Sequence, residues 1–450
     1  MTAFRTPPTG AHHDVGPEEI FFSTTDARGV ILQSNDVFVR LSRYPRERLI
    51  GAPHNIIRHP AMPAGAFLLM WDTLTAGRPF CAYVDNLAAD GSCYTVFATI
   101  TPLGDRYLSV RFRPLRTDLL GAARSLYAAV RPGELEQRAL GLSAHAAAEH
   151  GLGQLASLLA GAGFPSYEEF IWTALPAEVM ARANAGVGYP DRTDSASEWW
   201  PLLAAGARVH RALTSWVGQL DTLQELADAL VAGGQRVRAG ITASEQAAGD
   251  LTAAASATSG FSPVMASLTL WVAMTAEMDE MLRALADRLA ELRTGVARTR
   301  FGIALGSLES ETVGRFVSEL MDGGPGARDA QPAIRDLVVA LRKGVTQASA
   351  ETAANAALAA SVADEVQALA ELLGVPTTLL AGFEAMAGER NDPALSAVLP
   401  RVREVIARGQ ADADALSAIA GRCRAFVAFD AAHVHADLDR IDALTGGIWD

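Results

Sequence analysis

The sequence predicts an α+β domain built on a five-stranded antiparallel sheet, followed by a mostly α-helical bundle or coiled-coil region. Two observations indicate this division. From Glu18 to about Leu115, β-branched and aromatic runs alternate with turn residues, which is typical of strands. From about Leu119 to Trp449, alanine and leucine recur at helical spacing. We therefore expect a flexible leader over 1–17, an α+β domain over 18–116 and an all-α region over 119–450.

Five strands are predicted in the first domain, and turn residues such as Asp26 to Gly29 and Asp90-Gly91 separate them. In the fifth strand, apolar and more polar residues alternate, so one face of the sheet is expected to be buried and the other to be wet. The polar positions are Tyr107, Ser109 and Arg111. The predicted strands are Ile20–Thr25, Val30–Gln33, Phe80–Val84, Cys93–Ile100 and Tyr107–Phe112.

Short helices are predicted between the second and third strands, over Asp36–Arg43, Arg46–Ile50 and Pro63–Ala76. Helices that follow each other in this way would cover one face of the sheet. A cavity between the helices and the sheet is where we expect a small molecule to bind.

The helical region contains an apolar heptad pattern that begins after Ser262 and Pro263, which are suited to the start of a helix. Such a stripe must pack on another helix, either within the chain or in a second copy, so a homodimer is expected. Loops divide the region into blocks of about 119–186, 198–322 and 330–450. The heptad positions are Val264, Leu268, Trp271, Thr275, Met278, Leu282, Leu285, Leu289, Leu292 and Val296.

Composition excludes several classes of protein. The net charge of −13 argues against a nucleic-acid-binding protein, because phosphate binding needs clustered cations. The three cysteines have no CxxC spacing, so neither a disulfide framework nor a zinc site is expected. The sequence contains neither a signal-peptide pattern nor an apolar run long enough for a membrane span. We expect a cytoplasmic protein.

A polar loop from Pro53 to Pro63 interrupts the apolar first domain, with two histidines, an asparagine and an arginine within six positions. One interpretation is structural, with Pro63 opening the next helix and the polar residues capping it. Another is ligand binding. Metal binding is disfavoured, since His54 and His59 have no nearby cysteine and no carboxylate before Asp72.

The order of elements and several short motifs make the segment from Phe22 to about Pro102 resemble a PAS domain. Within that superfamily it resembles the flavin-holding sensory domain of bacterial aerotaxis receptors. The matching motifs are Phe22–Asp26, Ser34–Phe38, Leu49–Pro60, Met62-Pro63, Ala66-Phe67, Met70-Trp71, Leu74, Ala76–Pro79 and Asp90-Gly91. Two positions depart from the family pattern, which commonly has an acidic residue at Ala61 and a tryptophan at Phe80.

The resemblance implies noncovalent binding of FAD in a cup formed by the sheet. It places Arg58 and His59 near the flavin and its phosphoribityl chain, where an arginine suits a pyrophosphate. It also implies hydrogen bonds to the ring edge from two amides, and aromatic packing about the pocket. The remaining residues so implied are Asn35, Asn86, Phe67, Trp71 and Phe80.

The expected function is signal transduction rather than enzymatic catalysis, because the sequence contains no P-loop, kinase or hydrolase motif. The PAS domain would sense redox or oxygen state through FAD, whose reduction adds a proton and changes hydrogen bonding at the ring edge, and would signal to the helical region. One alternative is a ligand-free PAS protein that mediates interaction or dimerisation. Another is a degenerate chemoreceptor-like transducer that binds a chemotaxis coupling protein. The stretch Val362–Glu371 distantly resembles the return limb that follows the tip of a chemoreceptor signalling hairpin.

Overall fold

The five predicted strands form a single antiparallel sheet. A computed structural model describes residues 6–256, 262–323, 327–390 and 393–448. The strand order is β2-β1-β5-β4-β3, so the last three strands form the expected meander and β1 joins it through β5. The strands are β1 (Ile20–Asp26), β2 (Ile31–Ser34), β3 (Phe80–Leu87), β4 (Cys93–Leu103) and β5 (Arg106–Phe112).

Short helices connect β2 to β3, as predicted. The first, α1, begins after Asn35, whose side chain accepts a hydrogen bond from the Phe38 backbone N–H. Pro63 precedes α3, where its fixed φ and missing N–H are tolerated. These elements are α1 (Asp36–Ser42), α2 (Arg46–Leu49), a short 3-10 helix (His54–Ile57) and α3 (Ala64–Thr75).

Both faces of the sheet are buried, and the expectation of one wet face is wrong. Ser109 and Arg111, on the face expected to be wet, are only 4% and 5% exposed. The opposite face, which we call the outer face, is covered by helices that come later in the chain. Phe22 of this face packs edge-on against Phe316, with ring centroids 4.6 Å apart. The helical region therefore completes the burial of the sheet.

Residues 6–17 of the expected leader run along the sheet and pair with it. The Thr9 N–H donates to the Gly91 carbonyl over 2.9 Å, and the His13 N–H donates to the Cys93 carbonyl over 3.0 Å. The His13 ring bonds to the Leu41 carbonyl, and Val15 is buried. Backbone pairing to the start of β4 holds this segment in place.

Eight helices of the described chain follow the sheet. The structure divides into two compact units, and some of these helices contribute residues to both. Unit 1 contains Met1–Val217, Arg300–Ala348 and Asp430–Asp450, and unit 2 contains Gly218–Thr299 and Ser349–Phe429. Three of the four unit boundaries fall inside long helices, and the boundary after Phe429 lies in the loop before the last helix. The helices are α4 (Thr117–Ala139), α5 (Ala144–Gly161), α6 (Tyr167–Asn184), α7 (Trp200–Ser256), α8 (Ser262–Asp322), α9 (Ala327–Arg390), α10 (Pro393–Arg424) and α11 (Ala432–Ile448).

The long helix predicted from the heptad pattern is confirmed, because α8 begins at Ser262. Its apolar positions from Met278 to Leu289 lie in the core of unit 2 with buried residues of α7, α9 and α10. The apolar stripe therefore packs against helices of the same chain. The side chains of Val264, Leu268, Trp271 and Thr275 lie outside the described residues.

Candidate functional site

A cavity of about 350 Å³ lies between the inner face of the sheet and the helices that connect β2 to β3. Its volume is in the range that holds small-molecule ligands. The walls are mostly apolar and aromatic, and polar groups reach it from the loop Pro53–Pro63 and from β3 and β5. This cavity is the candidate ligand site.

Aromatic side chains form much of the wall. Trp71 of α3 lies edge-on to Tyr107 of β5, with ring centroids 5.8 Å apart. The turn between β1 and β2 makes room for this indole, because a Cβ atom on Gly29 would lie 2.9 Å from the Trp71 ring. Gly29 also has a φ of +77°, which only glycine adopts without strain. The hairpin turn and the position of Trp71 therefore depend on the same glycine.

Arg58 lies at the cavity wall with its guanidinium 3.8 Å from the centre of the Phe67 ring, a cation–π contact. Its Nη2 atom donates to the Met62 carbonyl over 3.3 Å. Ala61 has no carboxylate with which to orient the guanidinium. The aromatic ring and the carbonyl hold Arg58 in its place.

A buried cation lies at the floor of the cavity. Nη1 of Arg111 donates to the Ser23 hydroxyl over 3.1 Å, and its Nη2 lies 2.9 Å from Nε2 of His54. Because arginine can only donate, His54 Nε2 must accept. Burial, and then the Arg111 charge, hold the pKa of His54 well below its usual range, so the imidazole is neutral. Burial also lowers the pKa of Arg111 to about 10.

The cavity is electropositive. Three arginines, Arg28, Arg58 and Arg111, line it, and none of the described lining residues is acidic. Arg28 is paired with Asp26, whereas Arg111 has neutral partners. A site with this charge favours a ligand that carries negative charge or strong hydrogen-bond acceptors.

Asn86 provides a specific sign of a missing partner. Its side-chain Nδ2 is buried, makes no hydrogen bond, and belongs to a residue that lines the cavity. A buried amide donor left unsatisfied costs about 1–3 kcal/mol. An acceptor atom on a ligand would remove that cost. An aromatic ring with carbonyl acceptors and an anionic chain, as in a flavin, therefore fits the residues present.

The structure places five of the seven predicted site residues at the cavity and two away from it. Asn35 does not line the cavity: its Oδ1 accepts from the Phe22 and Phe38 N–H groups, and its Nδ2 donates to the Ile20 carbonyl. An asparagine before a helix is typically an N-cap, which explains the difference. His59 also lies off the lining and accepts from the Ala61 N–H. The five lining residues are Arg58, Phe67, Trp71, Phe80 and Asn86.

Sequence reasoning missed His54, Arg111 and Tyr127, which also line the cavity. His54 belongs to the polar loop, so a signal was present. Arg111 alternates with the apolar residues of β5, and this alternation predicts that it faces solvent. Tyr127 lies on α4, beyond the expected end of the domain, and nothing in the sequence connects it to the cavity.

The sheet, its short connecting helices and the enclosed cavity give the N-terminal domain a PAS-like fold. The chain is 38% identical over 121 residues to the aerotaxis receptor of Escherichia coli K12, a match that covers 26% of this chain and 24% of that protein. It is 31% identical over 84 residues to the nitrogen fixation regulatory protein of Klebsiella pneumoniae, covering 19% and 17% of the two chains. The chain thus spans no more than about a quarter of the length of these relatives.

Among solved structures, the Rhodobacter sphaeroides LOV protein is similar, at 18% identity with a TM-score of 0.21, over 32% of this chain and 90% of that chain. No protein-family model matches the sequence.

Two further features are absent from the described residues. No group of three or more histidine, cysteine or acidic side chains is arranged to hold a metal ion. No described helix combines the length and apolar character that crossing a bilayer requires.

Proposed function

We propose that the PAS domain binds a flavin, FAD in particular, and that the protein senses redox or oxygen state and signals through its helical region. The observation that carries this proposal is the unsatisfied amide of Asn86 in an electropositive, aromatic-walled cavity of about 350 Å³. The likeness to the aerotaxis receptor supports it.

Each wall of the cavity suits one part of such a ligand. Phe67, Trp71 and Tyr107 offer apolar contact area to an aromatic ring. Asn86 offers a donor to an acceptor at the ring edge, and Arg58 offers a charged donor to an anionic chain. The bound flavin would supply a ring that accepts and returns electrons.

A path for the signal leads from the cavity to α6. Phe80, which lines the cavity, stacks on Tyr167 of α6 with ring centroids 5.1 Å apart. The Tyr167 hydroxyl donates to the Cys81 carbonyl over 2.8 Å and accepts from the Cys81 N–H over 2.9 Å. A shift of β3 on a change of ligand state would therefore move α6. We propose that the helical region passes the signal to a partner, in a homodimer or through a chemotaxis coupling protein.

The test is the absorption spectrum of the purified protein, before and after reconstitution with FAD. We expect flavin bands in the wild type and their loss in Arg58→Ala and Asn86→Ala, with unchanged far-UV circular dichroism. Arg48→Ala is the matched control, since Arg48 is exposed on α2 and does not line the cavity. A wild-type protein that remains colourless after reconstitution contradicts the proposal and favours a ligand-free interaction domain.

A further inference from the structure

Helix α4 forms part of the cavity wall, although it follows the last strand of the sheet. Tyr127 of α4 lines the cavity beside residues of β3 and α3. Its hydroxyl donates to the Tyr83 carbonyl over 3.1 Å, which fixes the position of the ring. The cavity is therefore incomplete without α4.

The same helix also clamps the other wall of the cavity. The carboxylate of Glu134 accepts hydrogen bonds from the backbone N–H groups of Ala64 and Gly65, each over 2.7 Å, at the start of α3. Arg131 bonds to this carboxylate over 2.9 Å and to the Pro60 carbonyl over 3.0 Å. Glu134 is 1% exposed, so this contact is shielded from water. Helix α4 thus holds both α3 and the polar loop.

Helix α5 packs against α3 from the same side and leaves no free space. A Cβ atom built on Gly65 would lie 2.4 Å from the Leu152 backbone nitrogen and 2.7 Å from the Gly151 carbonyl carbon. Backbone atoms cannot give way as a flexible side chain can. A displacement of α3 must therefore be transmitted to the α4–α5 pair.

We propose that Tyr127 is a ligand-contact residue, and that α4 is the element that reports the occupancy of the cavity to the helices. This inference rests on the proposed flavin function. The ring of Tyr127 packs against the bound aromatic ring, so the ligand supports α4 from within the cavity. Loss of the ligand leaves that contact unmade and loosens α4 together with its hold on α3.

The experiment uses the full chain, titrated with FAD. Replacing an aromatic contact by an aliphatic one of similar size removes about 0.5–1.5 kcal/mol, so Tyr127→Leu should weaken FAD binding by roughly threefold to tenfold. Tyr127→Phe keeps the ring and should bind FAD nearly as well as the wild type. Leu135→Ala, at an exposed position of the same helix, is the control for changes to α4 itself.

Hydrogen exchange of the wild-type protein provides a readout that needs no variant. We expect FAD to slow exchange over residues 117–139. If FAD binds the wild type while Tyr127→Leu binds it equally well and exchange over α4 is unchanged, the role of Tyr127 is overturned and the flavin proposal stands. If FAD does not bind the wild type, both proposals are overturned.

Discussion

The carboxyl group of Glu309 on α8 accepts a hydrogen bond from the hydroxyl of Thr101 on β4 over 3.1 Å. Glu309 is 3% exposed and belongs to the layer that covers the outer face of the sheet. Burial raises the pKa of Glu309 to about 8, while the Thr101 hydrogen bond acts in the opposite direction. The side chain is therefore mostly protonated at neutral pH, and its burial between the sheet and α8 depends on that proton.

Glu309→Gln should remove one pH dependence of stability. The folded protein holds the Glu309 proton more tightly than the unfolded chain, whose pKa is near 4.5. The wild-type free energy of unfolding should therefore fall as pH rises from about 4.5 towards 8, by up to about 1.4 kcal/mol per unit. The glutamine variant lacks this contribution, so its advantage over the wild type should grow between pH 5 and pH 8.

Urea denaturation at several pH values measures this difference, with Glu136→Gln at an exposed position as the control. A difference between Glu309→Gln and the wild type that does not change with pH would show that Glu309 does not titrate in this range.

Gly65→Ala should destabilise the N-terminal domain, because its new methyl group would meet the backbone of α5 at 2.4 Å. Overpacking of this kind typically costs about 1–3 kcal/mol. Gly153→Ala is the matched control, since this exposed glycine of α5 has nothing within 4 Å of a built Cβ. That variant should be neutral or up to about 1 kcal/mol more stable. Thermal unfolding followed by circular dichroism compares the two, and equal midpoints would refute the close packing of α3 on α5.

Glu134→Ala should destabilise the start of α3. Removal of this carboxylate leaves the buried N–H of Gly65 and the partly buried N–H of Ala64 without their acceptor, at a cost of about 1–3 kcal/mol. Glu136→Ala, on the exposed side of the same helix, should change stability little. Chemical denaturation gives the free energies. Limited proteolysis near Pro60 should be faster in Glu134→Ala alone, and equal rates in both variants would contradict the clamp.

Arg111→Met should make the ligand-free protein more stable and weaken its binding of FAD. The buried guanidinium has no acidic partner among the described residues, so its replacement by an apolar side chain should stabilise the ligand-free protein. The same change should weaken FAD binding about tenfold or more, because a charged hydrogen-bond donor is lost. Denaturation of the ligand-free protein and FAD titration measure the two effects, with Arg111→Lys as the variant that keeps the charge. A less stable protein with unchanged FAD affinity would be the opposite of this expectation.

Local signals were sufficient to predict the sheet, because strand alternation and turn residues act over a few positions. The hairpin at Gly29 and the strands from Phe80 to Phe112 are found where they were predicted. Phe67 and Trp71, whose place at the pocket only the family resemblance implied, line the cavity from one face of α3. The family resemblance implies that Asn35 contacts the ligand, but its position before α1 also fits an N-cap, and the structure shows the cap.

The rest of the site depends on contacts that are distant in sequence. Alternation in β5 separates Arg111 from Phe112, but it does not tell which face meets the cavity and which meets helices. The outer face is identified only by its contacts with later helices, such as the packing of Phe22 on Phe316, nearly 300 residues away. Tyr127 reaches the cavity only because α4 packs against β3. The helical periodicity of the sequence does not indicate that contact.

The contact of Phe22 with Phe316 also bears on how the chain is made. All five strands have left the ribosome soon after Phe112 is added, whereas the part of α8 that covers the sheet is synthesised about 200 residues later. At typical rates of about 5–20 residues per second, the part of the outer face around Phe22 waits roughly 10 to 40 seconds for its cover. Nascent chains should therefore need chaperone protection during this interval, and slow translation before residue 316 should lower the yield of folded protein.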